Sequence, residues 1–303
     1  MDACSPIGEA VLDDTRFAWL SFMARAGQAT SEVLEEGDIF FFYRPRVEVD
    51  EVRGREDVQR LYVIMMPRRP RPGPFRVLII GRKKLPEIIP GQADPEERNW
   101  ATVVQVTSDP EQVRRELGAL HYVTLTRGER TVGAAKPVGE GRYAIVRHGD
   151  HTELAYVLEL PERPSVAQDE FEIKKEASYI ISVRNPDMPQ PPGVPAPRAQ
   201  PDYPQHLREK FASHRWIPVD DVELLNVPNT QVLLIGAHAD SFQEELGIRI
   251  DEERETMNSA EVFRRLRLSK EIPLEPLFKG TFPSQELPPE KAPASPSRRG
   301  GRD

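Results

Sequence analysis

The chain has 303 residues, of which 38% are apolar, and its formal net charge is −8. This length supports one or two hydrophobic cores, and the negative charge is atypical of proteins that bind nucleic acids or anionic membranes. The single cysteine, Cys4, excludes an intramolecular disulfide and a zinc site built on paired thiolates. No apolar run reaches the roughly 20 residues that span a bilayer, and the first residues lack a signal-peptide pattern. We therefore expect a cytoplasmic protein without a membrane partner.

An N-terminal helix is predicted within residues 1–30. Phe17, Leu20 and Met23 recur at helical spacing, and Asp13 or Asp14 can cap the first turn. An apolar stripe of this kind is typical of a helix that packs on the edge of a larger core.

Two similar β-rich units are predicted from a pattern that occurs twice in the chain. Each copy has three short apolar runs, and Tyr62 and Pro67 have the same spacing as Tyr156 and Pro161. Such runs, rich in β-branched and aromatic residues, indicate buried strands, and their recurrence suggests a duplication. The two units are residues 31–120 and 121–186.

A short helix is predicted after Ser108 by the order of its first residues. Asp109 can cap the free amides, Pro110 suits the first turn, and Gly118 ends the helix. This helix has an inward apolar face but no functional residue.

The remainder of the chain divides by composition. We predict a proline-rich linker or strap at 187–204, a small C-terminal α/β element at 205–282 and a disordered tail at 283–303. Together these elements predict the α+β class, with mainly antiparallel β structure from two similar units and short peripheral helices.

A cationic cleft for an anionic ligand is the leading functional hypothesis. Arg44 and Arg46 follow the first predicted strand, and Arg147 occupies the matching position in the second copy. If the copies face each other across a pseudo-twofold axis, these strand ends line one pocket together with Arg82 and Lys83. Such cations bind phosphate and carboxylate groups through charge-assisted hydrogen bonds. The sequence therefore favours a non-enzymatic binding or scaffold protein, with an anionic small molecule or an acidic protein as partner.

An alternative hypothesis is a hydrolase or transferase that acts on an anionic substrate through His148, Asp150 and His151. Two imidazoles and a carboxylate within one turn can serve as acid and base, and both histidines would face the same cleft. The other histidines are isolated in the sequence: His121, His206, His214 and His238. Because no further ligand follows at metal-binding spacing, we predict no metal and no cofactor.

A second alternative is contact with a nucleic-acid phosphate backbone through residues 68–84. The cations of this segment are Arg68, Arg69, Arg71, Arg76, Arg82, Lys83 and Lys84, and it contains no acid. Phe75 is its only aromatic residue, whereas base stacking needs several. Since the whole chain is also acidic, nucleic acid is not the partner we expect.

Overall fold

The computed structural model describes most of the chain between residues 31 and 283. The described residues are 31–49, 51–89, 98–124, 128–191, 194, 196–239, 242–252, 255–256, 258–268 and 272–283. The predicted N-terminal helix and all but the first residue of the predicted tail lie outside the described residues.

The described chain contains strands and short helices in the following order. The strands are β1 (Ser31–Pro45), β2 (Val58–Arg69), β3 (Phe75–Ile80), β4 (Arg98–Thr107), β5 (Leu120–Thr124), β6 (Gly128–Val132), β7 (Lys136–His148), β8 (His151–Leu160), β9 (Glu176–Arg184), β10 (Trp216–Pro218) and β11 (Gln231–Ala239). The α-helices are α1 (Pro110–Leu117), α2 (Val166–Asp169), α3 (Gln205–Arg208), α4 (Phe242–Glu245), α5 (Glu261–Arg264) and α6 (Glu275–Phe278). The 3-10 helices are Arg55–Asp57, Gly81–Lys83, Glu209–Phe211 and Val222–Asn226.

Eight antiparallel strands form one closed sheet. Neighbours in the order β9-β11-β4-β3-β2-β1-β7-β8 are hydrogen-bonded, and β8 also pairs with β9, which completes the ring. Strand β10 pairs with the remaining part of the β9 edge, and β5 and β6 form a separate hairpin. The described chain is thus mostly antiparallel sheet with short helices, in agreement with the predicted α+β class.

The ring draws its strands from all three predicted regions. Strands β1 to β4 belong to the first predicted unit, β7 to β9 to the second, and β11 to the predicted C-terminal element. The duplication and the separate C-terminal element stay predictions. No helix in the described part of the chain has the length and apolar character needed to cross a membrane.

Strand β1 shows why the chain contains unbroken apolar runs. Ile39, Phe41 and Tyr43 belong to the central core, while Phe40 and Phe42 belong to a second cluster on the outer face. Because successive side chains of a strand point to opposite faces, a strand covered on both faces is apolar at every position. The outer face of β1 to β3 is covered by α1 and by the segments around α5 and α6.

Helix α1 begins and ends as its sequence predicts. The Asp109 carboxylate accepts a hydrogen bond from the Glu111 N–H at 2.9 Å, Pro110 is the first helical residue and Gly118 is the C-cap. Its buried residues, Val113 and Leu117, pack on the outer face of the sheet.

The pairing of β7 with β8 is irregular at Gly141. The register shifts between Glu140 and Gly141, and a Cβ atom at Gly141 would lie 2.0 Å from the Val157 carbonyl oxygen. Only glycine permits so close an approach of the two backbones, and such irregularities let a sheet curve and close.

A candidate anion-binding site

The turn that follows β3, residues 81–84, presents three consecutive cations, and we call it the cationic turn. Arg82, Lys83 and Lys84 line an open depression together with Arg55 and Glu56. The 3-10 helix Arg55–Asp57 leads directly into β2, which pairs with β3. Pairing of β2 with β3 therefore brings Arg55 and the cationic turn to the same edge of the ring.

The cationic turn is held at both of its ends. The Asn99 side-chain amide is buried, and it donates hydrogen bonds to the Gly81 carbonyl at 2.8 Å and to the Lys84 carbonyl. The next residue, Leu85, is buried in the central core, and its N–H donates to the Phe171 carbonyl at 2.9 Å. These contacts fix the turn to the body of the protein.

The backbone of the cationic turn is strained. Arg82 and Lys83 have φ values of 49° and 57°, in the left-handed region that non-glycine residues adopt at a cost. Gly81 has no room for a side chain, since a Cβ atom there would lie 3.0 Å from the Trp100 carbonyl oxygen. Consecutive strained residues of this kind concentrate at functional sites, where the fold holds side chains in a required arrangement.

The cations at this edge form no close ion pair in the described chain, although Glu56 lines the same depression. Within the described ranges, five of them have no ion pair: Arg46, Arg55, Arg82, Lys83 and Lys84. Burial and the nearby charges of Arg46 and Arg55 lower the pKa of Lys83 below its usual 10.5, although the Glu56 carboxylate opposes this shift. A lowered lysine pKa means that the site disfavours its own positive charge, which a bound anion would relieve.

Three of the predicted ligand-binding residues, Arg46, Arg82 and Lys83, therefore lie near one another. Sequence reasoning missed Arg55 as a member of the group. Arg55 joins the group because β1 pairs with β2 and Pro45 lies opposite Val58, which brings the two ends of the connecting loop to one edge, and local sequence alone does not indicate this pairing.

Arg44, another predicted ligand-binding residue, is part of the fold. Its guanidinium is fully buried, donates to the Tyr62 hydroxyl at 3.0 Å and donates to the Gly118 carbonyl at 2.7 Å. Further hydrogen bonds go to the carbonyls of Glu116 and Gly133. Its donors tie α1 and the following loop to the sheet, so they are not free to bind a ligand.

The predicted cleft between Arg44 and Arg147 does not exist. Strands β1 and β7 are antiparallel neighbours, with Ser31 opposite His148 and Tyr43 opposite Lys136. The end of β1 therefore lies beside the start of β7, and Arg147 lies at the far end of the pair, where it forms an ion pair with Glu32. The expectation failed because strand pairing places the two strand ends at opposite edges.

The predicted catalytic residues lie in the tight turn between β7 and β8. The rings of His148 and His151 meet edge to face, with centroids 5.5 Å apart, but their hydrogen bonds lead in different directions. His148 Nδ1 contacts the Ser31 hydroxyl at 3.0 Å, whereas His151 contacts Asp150 at 3.2 Å and Glu153 at 3.0 Å. The Asp150 carboxylate is fully exposed.

Segment 68–84 is not one continuous basic surface. Arg68, Arg69 and Arg71 form ion pairs with acidic side chains at 2.8, 3.6 and 3.3 Å, and Arg76 is buried against Glu35. Within the described residues of this segment, the cations without an ion pair are those of the cationic turn at its end. This arrangement does not match a phosphate-backbone groove along the whole segment.

Three carboxylates also approach one another on the outer face. One oxygen each from Glu140, Glu159 and Glu255 lies within 4.8 Å of the others, a spacing that could hold a metal ion. Burial raises the pKa of Glu140 to about 8, and its oxygens accept the N–H groups of Glu261 and Val262 at 2.6 and 2.8 Å. Glu140 is thus engaged in holding the start of α5.

Comparison with known proteins adds no functional information. No protein family, curated protein or solved structure matches this chain at a significant level.

Proposed function

We propose that this protein is a non-enzymatic binding or scaffold protein that takes an anionic ligand at the cationic turn. The observation that supports the proposal is the group of five cations without ion pairs among the described residues, in a chain whose net charge is −8. Unpaired cations that repel one another are costly unless an anion neutralises them. The rigid backbone beneath them lowers the entropy lost on binding.

The ligand class follows from the chemistry of the donors. Guanidinium and ammonium groups in an open depression suit an oxyanion such as a phosphate group, or the carboxylates of an acidic protein. The hydrolase or transferase alternative has less support, because His148 and His151 direct their hydrogen bonds to different partners and Asp150 faces solvent.

The test compares two variants with the same change in charge. The site variant carries Arg82→Gln and Lys83→Gln, and the control carries Arg69→Gln and Arg71→Gln, which remove two exposed but ion-paired arginines. Binding of tripolyphosphate and of poly-glutamate is measured by calorimetry at low salt. We expect the site variant to bind its ligand at least about tenfold more weakly, while the control changes by less than about threefold.

Two results would contradict the proposal. The first is that the wild-type protein binds neither probe. The second is that both double variants lose affinity equally, which would indicate a response to net charge alone.

A further inference from the structure

Glu153 is a buried carboxylate that lies between two imidazoles. Its Oε1 atom is 3.0 Å from His151 Nε2 and 4.0 Å from His238 Nε2. Strand β8 supplies His151 and Glu153, and β11 supplies His238, with β9 between the two strands. The group shares no residue with the cationic turn.

Each imidazole is oriented by a carboxylate on its other nitrogen. His151 Nδ1 lies 3.2 Å from Asp150 Oδ1, and His238 Nδ1 lies 2.6 Å from Glu245 Oε2. A carboxylate on Nδ1 holds each ring so that its Nε2 atom faces Glu153, an arrangement found in metal-bound histidines. In the metal-free protein the Nε2–H of His151 donates to Glu153, and a bound metal would displace this proton.

The Glu153 carboxylate favours a further partner. Its side chain is 1% exposed, and its Oε2 atom has no hydrogen-bond partner among the described residues. Its Oε1 atom already accepts a hydrogen bond from His151 Nε2 at 3.0 Å. A buried carboxylate with an unused acceptor oxygen favours a further hydrogen-bond donor or cation.

The position of His238 depends on an irregularity in β11. The pairing of β11 with β9 shifts register between Gly236 and Ala239, and the His238 N–H donates to the Ser178 hydroxyl at 3.2 Å instead of to the ladder. Register shifts of this kind turn a side chain away from its regular direction and occur next to functional sites.

We propose that His151, Glu153 and His238 bind a divalent transition metal of the zinc type. Two imidazole nitrogens and one carboxylate suit zinc and its neighbours, whereas calcium and magnesium prefer oxygen ligands alone. Zinc bonds of about 2.0–2.2 Å place tetrahedral ligand atoms about 3.3–3.6 Å apart. Glu153 Oε1 lies 3.0 and 4.0 Å from the two Nε2 atoms, but the three ligand atoms do not all lie within 4.8 Å of one another, so the one-third-exposed His238 must rotate inward to complete the set.

The solvent side of the group remains open to a further ligand. The side chains of His151 and His238 are 31% and 33% exposed, so a metal held by them is reached from solvent. Three protein ligands with one open position are typical of zinc sites that bind water or a substrate group.

The experiment is calorimetric titration of untagged, EDTA-treated full-length protein with Zn2+ alone at about pH 7. The variants are His151→Ala, His238→Ala and the isosteric Glu153→Gln. The matched control is His148→Ala, which removes the other histidine of the same turn. Far-UV circular dichroism in EDTA verifies that each variant is folded, and His151→Gln or His238→Gln replaces the corresponding alanine variant if that one is not.

We expect one zinc ion per chain with affinity in the micromolar range or tighter. Each ligand variant should weaken binding by at least about tenfold, and His148→Ala by less than about threefold. Absence of binding to the wild-type protein overturns the proposal. It is equally overturned if His238→Ala retains full affinity, or if His148→Ala loses as much as the ligand variants do.

Discussion

The two ends of strand β3 carry the same kind of charge in opposite circumstances. At its start, Arg76 is 1% exposed and forms a bidentate ion pair with Glu35 at 2.5 and 2.9 Å, supported by Asn226 at 2.8 Å. Just past its end, the cationic turn presents its charges to solvent without an ion pair in the described chain. The contrast shows that pairing, rather than residue type, separates a cation that holds the fold from one that is available to a ligand.

The largest expected change in stability comes from removing the Arg76–Glu35 ion pair at the start of β3. Arg76→Met leaves the Glu35 carboxylate buried with the Tyr143 hydroxyl as its remaining donor, at 2.7 Å. We expect the free energy of unfolding to fall by about 3–5 kcal/mol, measured by urea denaturation.

The control for this prediction removes both charges together. The double variant Glu35→Leu/Arg76→Met should recover most of the loss, because neither partner then stays buried alone. A cost below about 1 kcal/mol for Arg76→Met would show that the ion pair does not stabilise this end of the ring.

An intermediate change in stability is expected at the cationic turn, where a substitution should stabilise the protein. Lys83→Gly should raise the free energy of unfolding by about 0.5–1 kcal/mol, because glycine adopts a φ of 57° without strain. The same change should weaken binding of an anion, since it removes one cation from the site. Urea denaturation and calorimetry measure the two quantities.

Lys84→Gly is the matched control for Lys83→Gly. Lys84 has an extended backbone with a φ of −151°, so glycine relieves no strain there and should lower stability slightly through chain entropy. If Lys83→Gly and Lys84→Gly change stability by the same amount, the backbone strain in the cationic turn is not significant.

The smallest expected effect is a shift in the pKa of Lys83. The pKa of Lys83 should be below 10.5 by NMR titration of its side chain, because burial and the charge of Arg46 disfavour the ammonium form. Since this pKa is lower in the folded than in the unfolded state, the contribution of Lys83 to stability should increase as pH rises through the folded pKa towards 10.5.

Charge removal at Arg46 tests the cause of that shift. Arg46→Gln should raise the pKa of Lys83, whereas Arg147→Gln, which removes a cation at the far end of the β1–β7 pair, should leave it unchanged. An equal response to both changes would point to a long-range effect of net charge.

Local patterns in the sequence predict the elements well and their arrangement poorly. The run Ile39–Tyr43 and the cap at Asp109 each depend on near neighbours, and both form the expected structure. The closed ring depends on pairings between residues far apart, such as Gln231 with Thr102, which periodicity does not encode. The fold class could therefore be predicted, but the closed sheet could not.

The candidate site shows the same limit. Arg44 and Arg46 are two residues apart, yet one is buried among carbonyls and the other is exposed. The partners of Arg44 lie more than 70 residues away, at Glu116 and Gly118. Nothing in the local sequence distinguishes the two arginines, and His238 appeared isolated for the same reason.

The insertion of β11 between β4 and β9 has a consequence for biosynthesis. During translation, seven strands of the ring leave the ribosome before residues 231–239 are made, and the edges of β4 and β9 stay open until then. Open strand edges are templates for pairing with other chains. Nascent and prematurely terminated chains should therefore need chaperones far more than the finished protein, whose ring leaves neither edge exposed.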